Sequence, residues 1–285
     1  MAENSKISWT NHTFNAWIGC TKVSPGCKFC YAEEYANKYR IAEWGEKKSR
    51  HLTADSTWAK PFVWDKKAAK ANERHRVFCS SLSDVMEDNP QVEQWRQRLF
   101  DLILRTPNLD WLLLTKRPDN YWKFFPESWL RNFPKNIWLG YSVCTQNEYD
   151  EHYAHFRDFQ RFTKASVTFI SFEPMLQPII LKMGAPDWNI IGGESGFLKN
   201  ARPMQLSWVK SLIGQIQALQ DKKHHIFFKQ FGSHLAKDLK LVDKKGEFGI
   251  EKLPPSYDWL KLREIPNTKV DIEIKKQETN TLSLF

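Results

Sequence analysis

The chain is predicted to adopt an α/β fold, a complete or partial (β/α) TIM-type barrel with about seven parallel strands and a C-terminal extension. Three observations carry this. Short apolar runs recur from residue 77 onward: Val77-Phe-Cys-Ser80, Trp111-Leu-Leu-Leu114, Ile137-Trp-Leu-Gly-Tyr-Ser142, Val167-Thr-Phe-Ile170, Trp188-Asn-Ile-Ile191 and Ile226-Phe-Phe228. Runs apolar at nearly every position are what parallel strands buried on both faces look like. Most gaps between them have room for a crossover helix, with only a short one between Val167 and Trp188. Each run also ends in polar or charged residues, as strands do when they deliver side chains to the carboxyl rim of a barrel.

Bulk properties bound the rest. At 285 residues the chain can bury a large core, and 41% hydrophobic with 14% aromatic residues excludes a disordered or low-complexity chain. Lys and Arg outnumber Asp and Glu by 42 to 33, a formal charge of +9, which favours a polyanionic partner such as nucleic acid. Much of the excess lies in runs such as Lys66-Lys67-Ala-Ala-Lys70, Lys222-Lys223 and Lys244-Lys245, where a solvated face is the commoner reading. Five cysteines, an odd count with three clustered, argue against a disulfide framework and for a reducing compartment. With no apolar signal segment at the N-terminus and no long apolar span, the expected location is cytoplasmic and no membrane partner is expected.

In chain order, Phe14-Asn-Ala-Trp17-Ile18-Gly19 reads as a short first strand that leads to Cys20. Cys20, Cys27 and Cys30 follow within one loop, where Pro25 fixes its own φ and Gly26 tolerates positive φ, folding the chain back before Cys27. Converging thiols at this spacing point to a metal. A closed zinc site needs a fourth ligand, recruited from His12, Cys79 or Cys144, whereas an iron–sulfur cluster on three cysteines leaves one iron open; three metal-free cysteines are the third reading. Residues 31–39 read as a helix with Tyr31, Tyr35 and Tyr39 forming one aromatic face.

Residues 41–75 read as a basic insertion with short helices, in which Trp58 and Trp64 either stack on nucleic acid or cover the core. A helix follows Asp88-Asn-Pro90, with apolar positions at helical spacing from Val92 to Ile103. The barrel-like domain spans residues 1–232. The tail, residues 233–285, leaves the pattern: residues 237–245 are basic, the last dozen are polar, and no catalytic role is assigned to them.

The strand ends give the candidate site: Ser80 and Asp84, Lys116 and Arg117, Cys144, Glu173, Gly192-Gly193-Glu194-Ser195, and Lys229. Each has a plain structural alternative. Asp84 can cap a turn, Lys116 and Arg117 can be solvated, Glu173 can pair with a neighbouring cation, and the paired glycines can reflect close packing. Glu194 can accept hydrogen bonds from an amine or a ribose hydroxyl, although the dinucleotide fingerprint is absent. Lys229, after an apolar run, suits a base, a Schiff-base former, a phosphate ligand or a salt-bridge partner.

Taken together, Trp17-Ile-Gly-Cys20, Ser24-Pro-Gly-Cys27-Lys-Phe-Cys30-Tyr-Ala32, Leu114-Thr-Lys-Arg-Pro118, Ser171-Phe-Glu-Pro174, Gly192-Gly-Glu-Ser-Gly196 with Ala201-Arg-Pro-Met204, and Phe227-Phe-Lys-Gln230 resemble the phage-associated three-cysteine-motif proteins, which look like relatives of radical S-adenosylmethionine (SAM) enzymes. The resemblance covers about residues 8–232. It implies a [4Fe-4S] cluster on Cys20, Cys27 and Cys30, SAM on the open iron, and reductive cleavage to a radical that abstracts hydrogen. An electron donor is then required, and a nucleic acid is the candidate substrate. Phe29 matches the aromatic that such enzymes place near the adenine. Together with the strand ends, the candidate cofactor-binding set is Phe29, Tyr31, Ser80, Asp84, Gly192, Gly193, Glu194 and Ser195, and the candidate catalytic set is Lys116, Arg117, Glu173 and Lys229. The first cysteine arm, six residues, is longer than the usual three, and Gly192-Gly193-Glu194 follows about the sixth strand rather than the second.

Overall fold

Strands apolar on both faces must pair with one another and be covered by helices, and the structure, a computed structural model describing residues 3, 5, 7–196, 200–241 and 253–267, does so with short elements. The first part of the chain forms β1 (His12–Phe14), β2 (Trp17–Ile18), α1 (Tyr31–Tyr39), β3 (His51–Leu52), α2 (Asp55–Trp58), α3 (Lys60–Ala71), β4 (His75–Cys79) and α4 (Glu93–Leu104). Then come β5 (Leu109–Thr115), α5 (Tyr121–Phe124), α6 (Glu127–Arg131), β6 (Ile137–Ser142), α7 (Gln146–Thr163) and β7 (Val167–Phe172). The chain continues through β8 (Trp188–Gly192), α8 (Leu206–Ala218), β9 (His225–Gln230) and α9 (Gly232–Asp238).

Seven strands form one parallel sheet in the order β1-β4-β5-β6-β7-β8-β9, curled into a half-barrel that stays open between β1 and β9. The α/β class and the partial barrel are therefore as the sequence predicts. The expected single first strand is instead two pieces. β1 joins the sheet, whereas β2 pairs antiparallel with β3 outside it. Asn15 explains the break. Its buried side chain accepts from Leu82 N (2.7 Å) and donates to Ser81 Oγ (3.0 Å), and its carbonyl accepts from Thr53 Oγ1 (2.9 Å), so the chain turns away from the sheet.

Strand parity sorts the side chains. One face of the sheet carries Val77, Cys79, Trp111, Leu113, Ile137, Leu139, Ile170, Phe172, Ile191 and Phe228, which pack under the helices. The concave face carries Phe78, Leu112, Trp138, Phe169, Trp188, Ile190 and Phe227, with Trp9 added from the N-terminal segment. These form an aromatic floor toward the amino ends of the strands. Gly140 is part of it, since a Cβ there would lie 2.2 Å from the Phe169 ring. Continuing the same parity toward the carboxyl ends, the concave face changes from apolar to polar at Ser80, Lys116, Ser171, Glu173 and Lys229.

The segment read as a basic insertion supplies the crossover from β1 to β4. In it α3 lays Trp64 and Ala68 against the core, and Trp58 is buried too, so these two Trp cover the core rather than offer a stacking surface. Between β7 and β8, where a short helix had room, the described residues form none. Residues 173–187 carry Pro174, Pro178, Gly184 and Pro186 and are tied down by Met175 N to Gly192 O (3.0 Å) and Leu176 N to Cys144 O (3.0 Å). Beyond α9, residues 253–267 return along the exposed edge of β9, with Phe228 N bonded to Leu262 O (2.9 Å) and Glu264 N to Ile226 O (3.1 Å). Lys244, Lys245 and the last dozen residues lie outside the described residues. Among the described residues no helix is long and apolar enough to cross a membrane.

Candidate functional site

The cysteine loop lies over the carboxyl ends of the strands because three separate ties hold its backbone there. At its start, Thr21 N donates to Glu87 Oε1 (2.9 Å), and Glu87 is paired with Arg50, both side chains almost wholly buried. All five donors of Arg50 are used. Nε and Nη2 reach Glu87 (2.9 and 2.7 Å), Nη2 also reaches Thr21 Oγ1 (2.8 Å), and Nη1 reaches the carbonyls of Gly45 (3.1 Å) and Lys48 (2.6 Å). At mid-loop, Ser24 caps a short 3-10 turn, Pro25–Cys27, accepting from Gly26 N (3.0 Å). Gly26 presses onto the neighbouring strand ends, where a Cβ would meet Cys144 Sγ at 2.2 Å and Pro174 Cδ at 3.3 Å. Its glycine requirement is thus close approach, not the positive φ that the sequence suggests. The third tie is Arg202 Nη1 to Pro25 O (2.9 Å), with the rest of that guanidinium held by Glu194 (2.5 and 2.8 Å).

The thiols are unpaired, with no disulfide among them. Cys20 Sγ faces Arg117 Nη1 (3.8 Å) and Thr21 O (3.4 Å). Arg117 in turn pairs with Asp84 (2.7 Å) and bonds Thr21 O (2.7 Å). Burial pushes the Cys20 thiol up, the Asp84 carboxylate adds to this, and Arg117 opposes it. Cys30 is the N-cap of α1; burial raises its pKa while the backbone N–H groups of Glu33 and Ala32 at the helix start favour the thiolate. Burial also pushes Cys144 up to about 11, against the pull of Lys116, whose Nζ lies 3.8 Å from the sulfur. Burial works against the Lys116 ammonium as well, yet Cys144, Cys27, Glu148 and Cys30 around it raise its pKa above the ordinary lysine value.

Two cations and a helix start therefore oppose the burial that keeps these sulfurs protonated, and their sign is complementary to the net negative charge of a thiolate-ligated metal group. Donor type fits such a group. Cys20 is turned to Arg117, and among the described residues no three His, Cys, Asp or Glu side chains form one metal-holding group. Of the three residues considered for a fourth ligand, His12 stacks on Trp64 (4.4 Å between ring centres) on the helix side and Cys79 is buried there. Only Cys144 lies against the loop.

The other predicted residues are placed unevenly. Asp84 is a hub, accepting from Thr115 Oγ1 (2.6 Å), Lys116 N (3.0 Å) and Arg117. Glu173 and Lys229 face one another across the concave face (2.6 Å), and Ser171 Oγ donates to Glu173 (3.3 Å). Ser80 follows β4 in the left-handed region at φ 66, a strained position whose N–H donates to Phe14 O (2.8 Å). Gly193 packs against backbone, with a Cβ there 2.3 Å from Phe231 O, and Gly192 packs against the Glu173 carboxylate at 3.0 Å. Close packing thus accounts for the pair. Both oxygens of Glu194 are taken up by Arg202, and Ser195 is exposed. Phe29 has Lys28 Nζ over its ring (5.2 Å) and the Arg202 guanidinium near by (5.4 Å), while Tyr31 donates its hydroxyl to Ser81 O (2.7 Å) and leaves its ring exposed. Arg50, Glu87 and Arg202 are the residues that the sequence did not single out. Arg202 stands in the quoted Ala201-Arg-Pro-Met204 motif, but Arg50 and Glu87 carry no local signal.

No curated protein and no solved structure matches this chain. A family match does extend over residues 4–260, most of its length, and the chain belongs to the family described as "Protein of unknown function (DUF5131)".

Proposed function

We propose that the chain is a radical-SAM-type iron–sulfur enzyme related to the phage-associated three-cysteine proteins, in which Cys20, Cys27 and Cys30 would hold a [4Fe-4S] cluster. The observation that carries this is a loop of three unpaired thiols, tied by its backbone to the carboxyl rim of a partial β/α barrel, with Arg117, Lys116 and the start of α1 facing the sulfurs. When bound, the cluster would supply the electron, drawn from an external donor, for reductive cleavage of SAM and hydrogen abstraction. The chain's own residues have simpler tasks. Lys116 and Arg117 balance thiolate charge. Glu173 and Lys229 offer one anion and one cation on the concave face, complementary to the amino and carboxylate groups of an amino-acid moiety. The aromatic floor continues the concave face below this pair, and Asp84 holds Arg117 and the Lys116 backbone in position. Free thiols in this number fit a cytoplasmic setting.

A second reading, from another class, rests on Cys144. With a fourth thiol against the loop, the site can also close as a four-thiol zinc centre in a non-catalytic nucleic-acid-binding protein. Anaerobic reconstitution with iron and sulfide separates the two. The enzyme predicts about four irons per chain, their loss in Cys27→Ser, and 5′-deoxyadenosine from SAM under reductant. Stoichiometric zinc that requires Cys144, with no iron uptake and no SAM cleavage, overturns it.

A further inference from the structure

The face of α1 that the sequence marks as aromatic is not packed. The helix buries Ala32 and Ala36 and leaves Tyr31, Tyr35 and Tyr39 exposed at 56%, 46% and 56%, with the Tyr35 and Tyr39 rings 4.7 Å apart. Three tyrosines exposed in register on one helix form a ladder, about 12 Å long at 1.5 Å per residue. That length matches about three stacked nucleotides at 3.4 Å each. The ladder begins at the mouth, because Tyr31 follows Cys30 directly and its hydroxyl is anchored on Ser81 O beside the strand ends.

Charge along the ladder is of the sign that a phosphate backbone needs. Lys28 lies at the ring of Phe29, Lys38 lies at the ring of Tyr39 (5.5 Å), and Arg40 ends the helix; among the described residues none of the three has a carboxylate at ion-pair distance. Glu33 is neutralised by Lys22 (2.5 Å). Glu34 is the carboxylate that remains, and at 100° per residue it flanks Tyr31 on the same side as Lys38. A carboxylate beside a phosphate path is unfavourable unless the ligand brings a donor to it, and the 2′-hydroxyl of RNA is such a donor, whereas the DNA backbone has none.

We infer that α1 is the docking surface for single-stranded RNA, with bases stacked on Tyr31, Tyr35 and Tyr39, phosphates on Lys28, Lys38 and Arg40, and one end of the strand delivered to the cysteine mouth. This names the substrate class of the proposed site and rests on that reading only for the chemistry at the mouth. The binding test uses the full chain without iron, SAM or reductant, so a failure of radical chemistry leaves its result standing.

The test is fluorescence anisotropy with a labelled single-stranded RNA, the matching single-stranded DNA and the RNA duplex as separate probes. Single-stranded RNA binds the most tightly of the three. Tyr35→Ala and Tyr39→Ala each weaken it about 5- to 150-fold, the range for removing one stacking aromatic. Tyr→Phe at the same positions retains binding. Lys38→Ala lowers the slope of log affinity against log salt by about 0.7, and Glu34→Gln narrows the preference for RNA over DNA. Phe162→Ala, which removes an exposed aromatic on α7, changes nothing. Far-ultraviolet circular dichroism confirms that the exposed substitutions fold. Four results overturn the inference: RNA affinity unchanged in both Tyr→Ala proteins, DNA or duplex bound as tightly as single-stranded RNA, no RNA binding at low salt, or a wild-type dimer by light scattering that Tyr35→Ala dissociates.

Discussion

Replacing Arg50 with Met tests whether the cysteine loop is held by its backbone. The side chain is fully buried, all five of its donors are satisfied, and its partner Glu87 is 3% exposed. Met keeps most of the volume and removes every hydrogen bond. Glu87 is then left with Thr21 N–H (2.9 Å) and a distant Arg117 (3.9 Å), and the Gly45 and Lys48 carbonyls lose their donor. Removing one partner of a buried ion pair costs about 3–5 kcal/mol. With a urea slope near 3 kcal/mol/M, the unfolding midpoint falls by roughly 1–1.7 M. Arg50→Met/Glu87→Leu removes both charges at once, and its loss is smaller than the sum of the single losses by at least about 2 kcal/mol, because neither charge is left buried alone. A second readout belongs to the loop: Cys20 reacts faster with a thiol reagent in Arg50→Met, since the adjacent Thr21 has lost its side-chain bond to Arg50 and its remaining tie, Glu87, is no longer held in place, while Cys79 does not. A loss below about 1 kcal/mol in Arg50→Met, or additivity within about 0.5 kcal/mol in the cycle, refutes the reasoning.

Three further expectations follow from geometry. Gly26→Ala places a Cβ 2.2 Å from Cys144 Sγ and lowers stability by about 1–3 kcal/mol. Gly26→Ala/Cys144→Ala removes the clashing sulfur and recovers most of that loss in thermal denaturation. Gly193→Ala, whose Cβ meets the Phe231 carbonyl oxygen at 2.3 Å, destabilises more than Gly192→Ala, whose nearest neighbour at 3.0 Å is a side-chain carboxylate that can move. Chemical denaturation orders the two, and the reverse order contradicts the packing account. The last expectation is a pH dependence at His12. Burial, with His75 (3.1 Å) and Lys67 adding and Glu3 opposing, lowers its pKa from 6.5 to about 4. The folded value is below the unfolded one, so the stabilisation is complete above pH 6.5 and is lost as pH falls toward 4. Between pH 6.5 and 5 the loss is about 1–2 kcal/mol after allowance for screening at the sheet edge. His12→Gln loses less over the same interval, and equal losses in the two proteins disprove the assignment.

The parallel sheet was legible because its signal is local. The runs beginning at Trp111, Ile137, Val167 and Trp188 are apolar on both faces, and each lies in a strand of the sheet. The helix at residues 31–39 was equally local. What it does was not: its aromatic face follows from periodicity, but only packing shows that the Ala face turns inward. Cys144 was visible at a strand end, yet its contact with Gly26 joins positions far apart in the chain, and nothing near Cys144 announces it. The ties on the loop are longer still. Arg50 and Glu87 are 37 residues apart, and Arg202 reaches Pro25 across 177. Such pairs have no periodicity and no spacing rule, so a reading that moves along the chain sees Arg50 as one more charge in a basic segment.

These ties also separate two kinds of cysteine in one chain. Cys79 is held by its sulfur, buried under the helices, where burial raises its pKa to about 12; it packs as a small apolar side chain. The loop cysteines are positioned differently. Arg50 and Glu87 act on Thr21, Arg202 acts on the Pro25 carbonyl, and Ser24 with Gly26 sets the turn between them. None of these contacts uses a sulfur atom. The closest cation contacts, Arg117 with Cys20 and Lys116 with Cys144, are long and charge-balancing at 3.8 Å. A core cysteine needs its sulfur packed and is indifferent to backbone ties of this kind. The loop from Cys20 to Cys30 is instead fixed at its main chain, and its sulfur contacts, such as Cys20 Sγ to Thr21 O at 3.4 Å, are long, the division that the proposed cluster ligands would need.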